Sequence, residues 1–229
     1  KYITKASAEP QEFEGFSWIT SGGDRIIRYT VPLGMTINAL KYRQTDYDIN
    51  FRGSFHCSDP FYDALWIKSR RTAMVNMRDT IMGCADRERA GWMGDQAPQF
   101  EYIPYAFEPS GLNGYQPLVR KCVDATINFQ MRSGGFCVMS PTSASGRMEY
   151  PSQELVYMGE FGVWNYYLQT GDPRIIERMY EPIKRCLAQW STERDGLLSA
   201  TRAQWWDWGK GLDKKCLENA QYYSVIKHM

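Results

Sequence analysis

The pattern of apolar and polar residues changes character near residue 57. Before that point, residues 24–31 and 37–43 are short runs of strand-favouring residues separated by glycines and Pro32. They predict a small β segment over residues 1–56, forming the edge of a preceding β domain and its linker. From Ser58 onward the pattern becomes helical, so residues 57–229 are predicted to form a separate α-helical unit.

Capping and breaking residues predict six helices in the second unit. Asp59 followed by Pro60 is a cap with proline at the first helical position, and it predicts a helix that ends near Thr80. Asp95 is expected to cap the second helix, with Pro98 inside the first turn. The remaining helices are predicted at residues 114–132, at residues 152–170, from Pro173 to about Trp190, and from Asp213 to the end.

The predicted helices form antiparallel hairpins. Gly171-Asp172-Pro173 ends the fourth helix and starts the fifth at once, so these two helices fold back on each other. Loops 133–151 and 191–212 are long and contain glycine, aromatic and acidic residues, which is typical of functional loops. The fifth helix is amphipathic, with one stripe formed by Ile175, Ile176, Met179, Tyr180, Ile183, Leu187 and Trp190.

Composition and charge exclude several classes of function. The net charge is +1, from 27 basic and 26 acidic residues, which gives no electrostatic case for binding nucleic acid or an anionic membrane surface. There is no run of about 18 apolar residues, so no membrane span is predicted. The six cysteines are dispersed and only two histidines occur, so we expect buried thiols and neither a metal site nor a cofactor.

The segment from Arg87 to Asp95 carries the most chemical information. It reads Arg-Glu-Arg-Ala-Gly-Trp-Met-Gly-Asp and combines two acids, two arginines, a tryptophan and two glycines. Arginine presents a fixed fork of donors to oxygen-rich groups, and an aromatic face beside carboxylates suits sugar chemistry. The alternative is a charged turn before a helix, but such a turn would not require Arg87, Glu88 and Trp92 together.

Other candidate residues have a structural alternative of similar weight. Trp164 and Tyr167 lie three positions apart on one helix face, which indicates a core pair more often than a ligand platform. Trp205-Trp206-Asp207-Trp208 is either a sugar-stacking wall or a loop packed on the rim of the domain. Three acids, Glu149, Glu154 and Glu160, could each supply a second carboxylate or simply serve as solvated or capping residues.

The stretch from Gly83 to Asp95 resembles the signature of bacterial α-L-rhamnosidases of glycoside hydrolase family seventy-eight. That signature is Asp-Cys-Pro-x-Arg, an acidic segment, and Arg-x-Gly-Trp-x-Gly-Asp. Residues 53–60, 69–72, 76–79, 164–172 and 206–209 are similar to further family segments, so the resemblance spans about residues 35–229.

The resemblance implies a fold and a reaction. The family's catalytic domain is an (α/α)6 toroid behind β domains, and six helices would be the first part of such a toroid. The family hydrolyses terminal α-L-rhamnosides of polysaccharides and glycosides with inversion, using an acid and a base about 6.5–9.5 Å apart. By motif position Glu88 matches the general acid, while the match for the base is expected beyond Met229. The matches to sugar-pocket residues are Arg87, Trp92 and Asp95, and more weakly Trp164, Tyr167 and Trp208.

Two positions depart from the family pattern. Gly83 stands where the family has an aspartate that binds a sugar hydroxyl, and Ala85 replaces the proline. Loss of that aspartate removes a charged hydrogen bond of roughly 1.5–3 kcal/mol. Two alternatives to an enzyme therefore stay open, namely a non-catalytic sugar-binding relative and a helical scaffold for protein interactions.

The sequence also gives expectations about partners and location. The expected partner is a carbohydrate substrate, and nothing in the sequence fixes an oligomeric state. The chain begins at Lys1 and so looks like a piece of a longer protein. A periplasmic or extracellular location is expected for a bacterial enzyme of this kind.

Overall fold

The computed structural model describes residues 7, 9–14, 28–41, 45–84, 87–199, 202 and 209–229. Its structure is mainly α-helical, as predicted, and β structure in the described residues is limited to isolated bridges. The α-helices are α1 (Pro60–Asn76), α2 (Met93–Ala106), α3 (Tyr115–Asn128), α4 (Pro151–Met158), α5 (Asn165–Thr170), α6 (Arg174–Leu187) and α7 (Lys214–His228). A 3-10 turn spans Ala144–Gly146, and a π-helical turn spans Glu160–Trp164.

The predicted N-terminal β segment is not seen in the part of it that the structure describes. Residues 28–41 form no strand, and the backbone there makes a turn in which Met35 N–H donates to Pro32 O at 3.3 Å. A strand requires a neighbouring strand for its backbone hydrogen bonds, and apolar side chains such as Leu33 and Leu40 are exposed. The rest of the two predicted strands, residues 24–27 and 42–43, lies outside the described residues.

Local capping signals located the starts of α1 and α7 correctly, whereas α1 ends at Asn76 rather than near Thr80. Asp59 accepts a hydrogen bond from Phe61 N–H at 2.9 Å, with Pro60 as the first helical residue. Asp213 accepts one from Cys216 N–H at 3.0 Å. In both helices a side-chain oxygen satisfies a backbone donor that has no intrahelical acceptor.

The prediction that Asp95 caps α2 is wrong. The helix begins at Met93 after Trp92, which places Asp95 inside the first turn. The exposed donors of this turn are satisfied from other segments, since Met93 N–H donates to Val138 O at 2.9 Å and Gly94 N–H donates to Gln153 Oε1 at 3.0 Å. A cap within the same segment is therefore unnecessary.

The single helix predicted for residues 152–170 is broken into three pieces. Gly162 has φ −107° and ψ −113°, which is not helical, and a side chain there would overlap the Tyr157 carbonyl. The π-helical turn connects α4 to α5, and α5 ends at Gly171 in the left-handed conformation with φ +65°. The predicted start of the next helix agrees with α6, which begins directly after Pro173.

Two further helix details differ from prediction. The third helix ends at Asn128 rather than near residue 132. On α6 the apolar stripe is buried at Ile175, Met179 and Ile183, whereas Tyr180 is 44% exposed. The Lys184 Nζ lies 5.2 Å from the centre of the Tyr180 ring, which places this ring at the edge of the stripe.

The helix contacts bring together the elements that follow the long loops. Helix α4 packs against both α2 and α7, α3 packs against α6, and α1 packs on α2. Long loops lead into α2, α4 and α7, whereas short connections lead out of α2 and α5. Gly94 at the start of α2 bonds to Gln153 of α4, and Arg202, from the loop before α7, bonds to Glu149 before α4 and to Glu218 of α7, so the described parts of these loops lie close to the starts of α2 and α4.

Candidate active site at the loops before α2, α4 and α7

The segment that carries Glu88 is a closed turn. Gly83 N–H donates to Ala90 O at 3.3 Å, and Arg89 N–H donates to Cys84 O at 3.1 Å. Arg89 adopts a left-handed backbone with φ +50°, a conformation that costs a non-glycine residue about 1–2 kcal/mol. The two hydrogen bonds hold this conformation at the residue that follows Glu88.

The Glu88 carboxylate is held by its neighbour and remains accessible. Arg87 Nη2 donates to Glu88 Oε1 at 2.6 Å, and 33% of the Glu88 side chain is exposed. The Arg87 side chain is 77% exposed and so can also reach a ligand. An accessible carboxylate beside an arginine can exchange a proton with a bound molecule and bind its oxygen atoms.

Trp92 forms an aromatic wall at the base of the turn. Its ring stacks on Tyr150, with ring centres 6.0 Å apart and planes 9° from parallel. Its backbone pairs with Met139 in an antiparallel bridge, and Ser140 N–H donates to Gly91 O at 3.3 Å. The loop before α4 is thus attached directly to the segment that leads into α2.

Asp95 lies against the backbone of Gly83, at the base of the turn. An added Cβ at position 83 would overlap the Asp95 carboxylate. Gln99 Nε2 donates to Met82 O at 3.1 Å and to Asp95 O at 3.0 Å, so one buried amide connects the backbone before the turn to the first turn of α2. Partial burial raises the pKa of Tyr102 to about 12, and the Asp95 carboxylate nearby contributes to the rise.

A second group of polar residues joins the loops before α4 and α7. Arg202 Nη2 donates to Glu149 Oε2 at 3.1 Å and to Gln189 Oε1 at 3.0 Å. Arg202 backbone N–H donates to Glu218 Oε1 at 2.8 Å, and its guanidinium lies 5.0 Å from the centre of the Trp190 ring. Glu149 is therefore engaged in an ion pair that fixes the loop before α7.

Glu154 is a buried carboxyl group with no access to a substrate. Its side chain is fully buried, Cys186 Sγ donates to Oε2 at 3.0 Å, and the Phe136 backbone N–H also faces the group. Burial raises its pKa to about 7. Glu160 was also considered as a second carboxylate. It is exposed at the start of the π-helical turn.

The three weaker site predictions are Trp164, Tyr167 and Trp208. Trp164 contacts Tyr167, with ring centres 5.3 Å apart, and stacks on His228 at 5.0 Å. Trp164 lines an apolar pocket together with residues of α6, among them Tyr180, with residues of α7, and with Met229 after α7. Trp208 lies outside the described residues.

Several residues of the site were not indicated by the sequence. Tyr150 and Arg202 meet the Arg87–Asp95 segment or its loops only in the folded chain, whereas Gln99 and Tyr102 had a local signal, their four- and seven-residue spacing from Asp95 on α2. Within the described residues no group of three or more His, Cys, Asp or Glu side chains is placed to hold a metal ion. Nor is any described helix long and apolar enough to cross a bilayer.

Comparison with known proteins agrees with the motif and the fold. Residues 50–229 match the family described as the bacterial alpha-L-rhamnosidase 6 hairpin glycosidase domain. The chain is 26% identical over 139 residues to an alpha-L-rhamnosidase of Formosa agariphila, a match that covers 60% of this chain and 15% of that protein.

Two solved structures share the fold. The alpha-L-rhamnosidase from Dictyoglumus thermophilum superposes with a TM-score of 0.63 and 21% identity, over 79% of this chain and 20% of that one. The rhamnosidase of glycoside hydrolase family seventy-eight from Bacillus SP. GL1 gives a TM-score of 0.58 and 19% identity, over 80% and 20%. The chain therefore spans a fifth or less of the length of these relatives. Since the family match covers well over half of the chain, the chain belongs to the bacterial α-L-rhamnosidase six-hairpin glycosidase family.

Proposed function

We propose that the protein containing this chain hydrolyses terminal α-L-rhamnosides of polysaccharides and glycosides with inversion, with Glu88 as the general acid. The observation that carries the proposal is the placement of Glu88. Its accessible carboxylate lies beside Arg87, in a segment closed by the Gly83–Ala90 and Cys84–Arg89 hydrogen bonds, two residues before Ala90 on the way into α2. The family membership of residues 50–229 supports the class of reaction.

In this mechanism Glu88 protonates the glycosidic oxygen as the bond to the sugar breaks. A carboxylate on the other side of the sugar ring removes a proton from the attacking water, at about 6.5–9.5 Å from the acid. Glu154 is fully buried and Glu149 is paired with Arg202, so neither is disposed to act as this base. We propose that the base is supplied by a part of the protein that this chain, which spans a fifth or less of its relatives, does not include.

The remaining site residues bind the sugar in this proposal. Arg87 and Asp95 supply hydrogen bonds to hydroxyl groups, and the Trp92 ring supplies an apolar face for the C–H side of the sugar. Trp164, Tyr167 and Trp208 are weaker candidates for aromatic contacts. We further propose a periplasmic or extracellular location, where polysaccharides and glycosides are encountered.

The test is a Glu88→Gln variant of the intact protein, assayed on aryl α-L-rhamnosides with good and poor leaving groups. Loss of the general acid should lower kcat/KM about 10²- to 10⁴-fold for a poor leaving group, and far less for one that needs no protonation. Glu101→Gln, which alters an exposed acid on α2, is the matched control and should leave both rates unchanged. Full hydrolysis of the poor substrate by Glu88→Gln would refute the assignment.

One observation favours a second candidate, a non-catalytic sugar-binding relative. Gly83 supplies no carboxylate at the position where the family has an aspartate, so the site has one hydrogen-bonding group fewer. This candidate predicts measurable rhamnose affinity by calorimetry in the intact protein, with no turnover of any aryl rhamnoside. Turnover that depends on Glu88 excludes it.

A further inference from the structure

A second cleft lies at the C-terminal end of α2, away from the turn that carries Glu88. Its volume is about 410 Å³, within the range of roughly 300–1,000 Å³ that is usual for sites of small molecules. Its walls are the last residues of α2, the first residues of α3, the last residues of α5 and the backbone at Arg52–Gly53. We call it the distal cleft, because at 1.5 Å per residue the length of α2 separates it from the start of that helix by about 20 Å.

The floor of the distal cleft is backbone whose position is set by the fold. Arg52 N–H and Gly53 N–H both donate to Ala106 O, at 2.9 and 3.2 Å. A side chain on Gly53 would overlap the Tyr105 carbonyl oxygen, so the glycine permits this segment to lie directly on the end of α2. The shape of the floor therefore does not depend on a bound ligand.

An aromatic ring and several polar side chains line the distal cleft. Tyr105 is 58% exposed, and Gln169 Nε2 donates to its hydroxyl group at 3.3 Å, which holds the ring while more than half of it stays accessible. Gln116 contributes a second amide. The Arg52 side chain is 64% exposed and its Nη1 lies 3.9 Å from Glu108 Oε1, so most of the guanidinium is accessible to a ligand.

These groups match a neutral sugar better than an ion or an apolar molecule. Sugar hydroxyl groups donate and accept hydrogen bonds, as the amides of Gln116 and Gln169 do, and the C–H face of a sugar packs on an aromatic ring. Arg52 is the only charged residue among the described residues that line the cleft, and Glu108 partly offsets its charge, so an anion would meet a single cation. An apolar ligand would leave the amides and the guanidinium without hydrogen-bond partners.

We propose that the distal cleft is a non-catalytic glycan-binding site, which holds one part of a polymeric carbohydrate while another part of the same molecule reaches the turn that carries Glu88. Its effect on hydrolysis rests on the proposed function, whereas the binding of glycan does not. A polymer held at two places dissociates less readily than one held at a single place, because the second contact is intramolecular. A small aryl rhamnoside cannot span the two sites and gains nothing from the distal cleft.

The kinetic test is Tyr105→Ala in the intact protein, which removes the exposed ring. The KM for a soluble polysaccharide whose side chains end in α-L-rhamnose should rise about tenfold with kcat unchanged, whereas kcat/KM for an aryl α-L-rhamnoside should change by less than about twofold. Tyr105→Phe keeps the ring and should retain most of the affinity. Gln116→Ala, which removes one amide, should raise the same KM and serves if Tyr105→Ala does not fold. Equal losses on both substrates, or an unchanged KM for the polysaccharide, would overturn the proposal.

The accessibility of Tyr105 gives a readout that needs no turnover. In the intact Glu88→Gln protein, oxidation of Tyr105 by hydroxyl radicals, measured by mass spectrometry, should be slowed by the polysaccharide. Tyr223 on α7 is 67% exposed and lies outside the cleft, so its oxidation should not change. If Tyr105 is unreactive before the polysaccharide is added, another part of the protein fills the cleft and the proposal is wrong. Oxidation of Tyr105 that the polysaccharide leaves unchanged also contradicts it.

Failure of this site and failure of the proposed function give different results. If the intact protein hydrolyses no rhamnoside but the polysaccharide still protects Tyr105, the proposed function is refuted and the distal cleft is supported. If Glu88→Gln abolishes hydrolysis while Tyr105→Ala leaves the KM for the polysaccharide unchanged, only the distal cleft is refuted. Tyr223→Ala, which removes an exposed ring outside the cleft, is the matched control and should leave the kinetics of both substrates unchanged.

Discussion

Replacement of Glu154 by glutamine should make the protein more stable above neutral pH and remove part of its pH dependence. Glu154 lies on α4 with its side chain fully buried, facing Cys186 Sγ and the Phe136 N–H. Burial raises its pKa from an ordinary value of 4.5 to about 7. Glutamine has the same shape and stays neutral at every pH.

The size and sign of the effect follow from this pKa. Between pH 4.5 and about 7 the folded protein keeps a proton on Glu154 that the unfolded chain releases, so the free energy of unfolding falls as the pH rises through this window. The interval corresponds to about 3 kcal/mol, since one pH unit is worth about 1.36 kcal/mol. The full penalty is present above pH 7. An amide that lacks an acceptor would subtract about 1–3 kcal/mol at all pH values without changing the slope.

The measurement is urea unfolding of the intact protein, followed by tryptophan fluorescence from pH 4.5 to pH 8. The difference between Glu154→Gln and the unmodified protein should grow towards higher pH by up to about 3 kcal/mol. Glu181→Gln is the matched control, because Glu181 is 64% exposed and pairs with Lys184 on the surface. It should change stability by less than about 1 kcal/mol. If the two curves for position 154 are parallel, Glu154 does not titrate as argued.

Two further substitutions test the fold around the site. Gly162→Ala should destabilise the protein by more than about 1 kcal/mol in the same urea assay, because the new side chain overlaps the Tyr157 carbonyl; unchanged stability would show that the π-helical turn can relax. Asp172→Asn should cost about 1–2 kcal/mol at neutral pH, since the Arg174 guanidinium lowers the pKa of Asp172 to about 2. That stability is present above pH 4 and is lost as the pH falls towards 2, so unmodified and Asp172→Asn proteins should converge there, and a constant difference would refute the ion-pair explanation.

Local signals in the sequence were sufficient for most helix starts. Asp59-Pro60, Asp213 and Gly171-Asp172-Pro173 act through hydrogen bonds and backbone angles within a few residues, so they could be read directly. The start of α2 could not be predicted in this way, because its backbone donors are satisfied by Val138 and Gln153, which lie 45 or more residues away along the chain. When the capping acceptor comes from a distant segment, no residue close to the helix start in sequence marks that boundary.

The same distinction holds for the candidate site. Glu88 and Trp92 were identified because their neighbours in sequence are also their neighbours in space. The stacking of Tyr150 on Trp92 and the ion pair of Arg202 with Glu149 join residues more than 50 positions apart, and no periodicity links them. The contact of Asp95 with the Gly83 backbone depends on closure of the turn at Ala90, which a motif does not encode.

The way in which the three loops are joined explains why chemistry concentrates at this end of the domain. A helix N-terminus leaves backbone donors without intrahelical acceptors. The donors at the start of α2 are met by the loop before α4 and by Gln153 of α4 itself, and the loop before α4 is in turn tied to the loop before α7 through Glu149 and Arg202. Hydrogen bonds therefore connect the described parts of these loops to one another. The turn that carries Glu88 is consequently held by residues of three hairpins, so a change at Gln153 or Arg202 should reach the site although neither residue contacts Glu88.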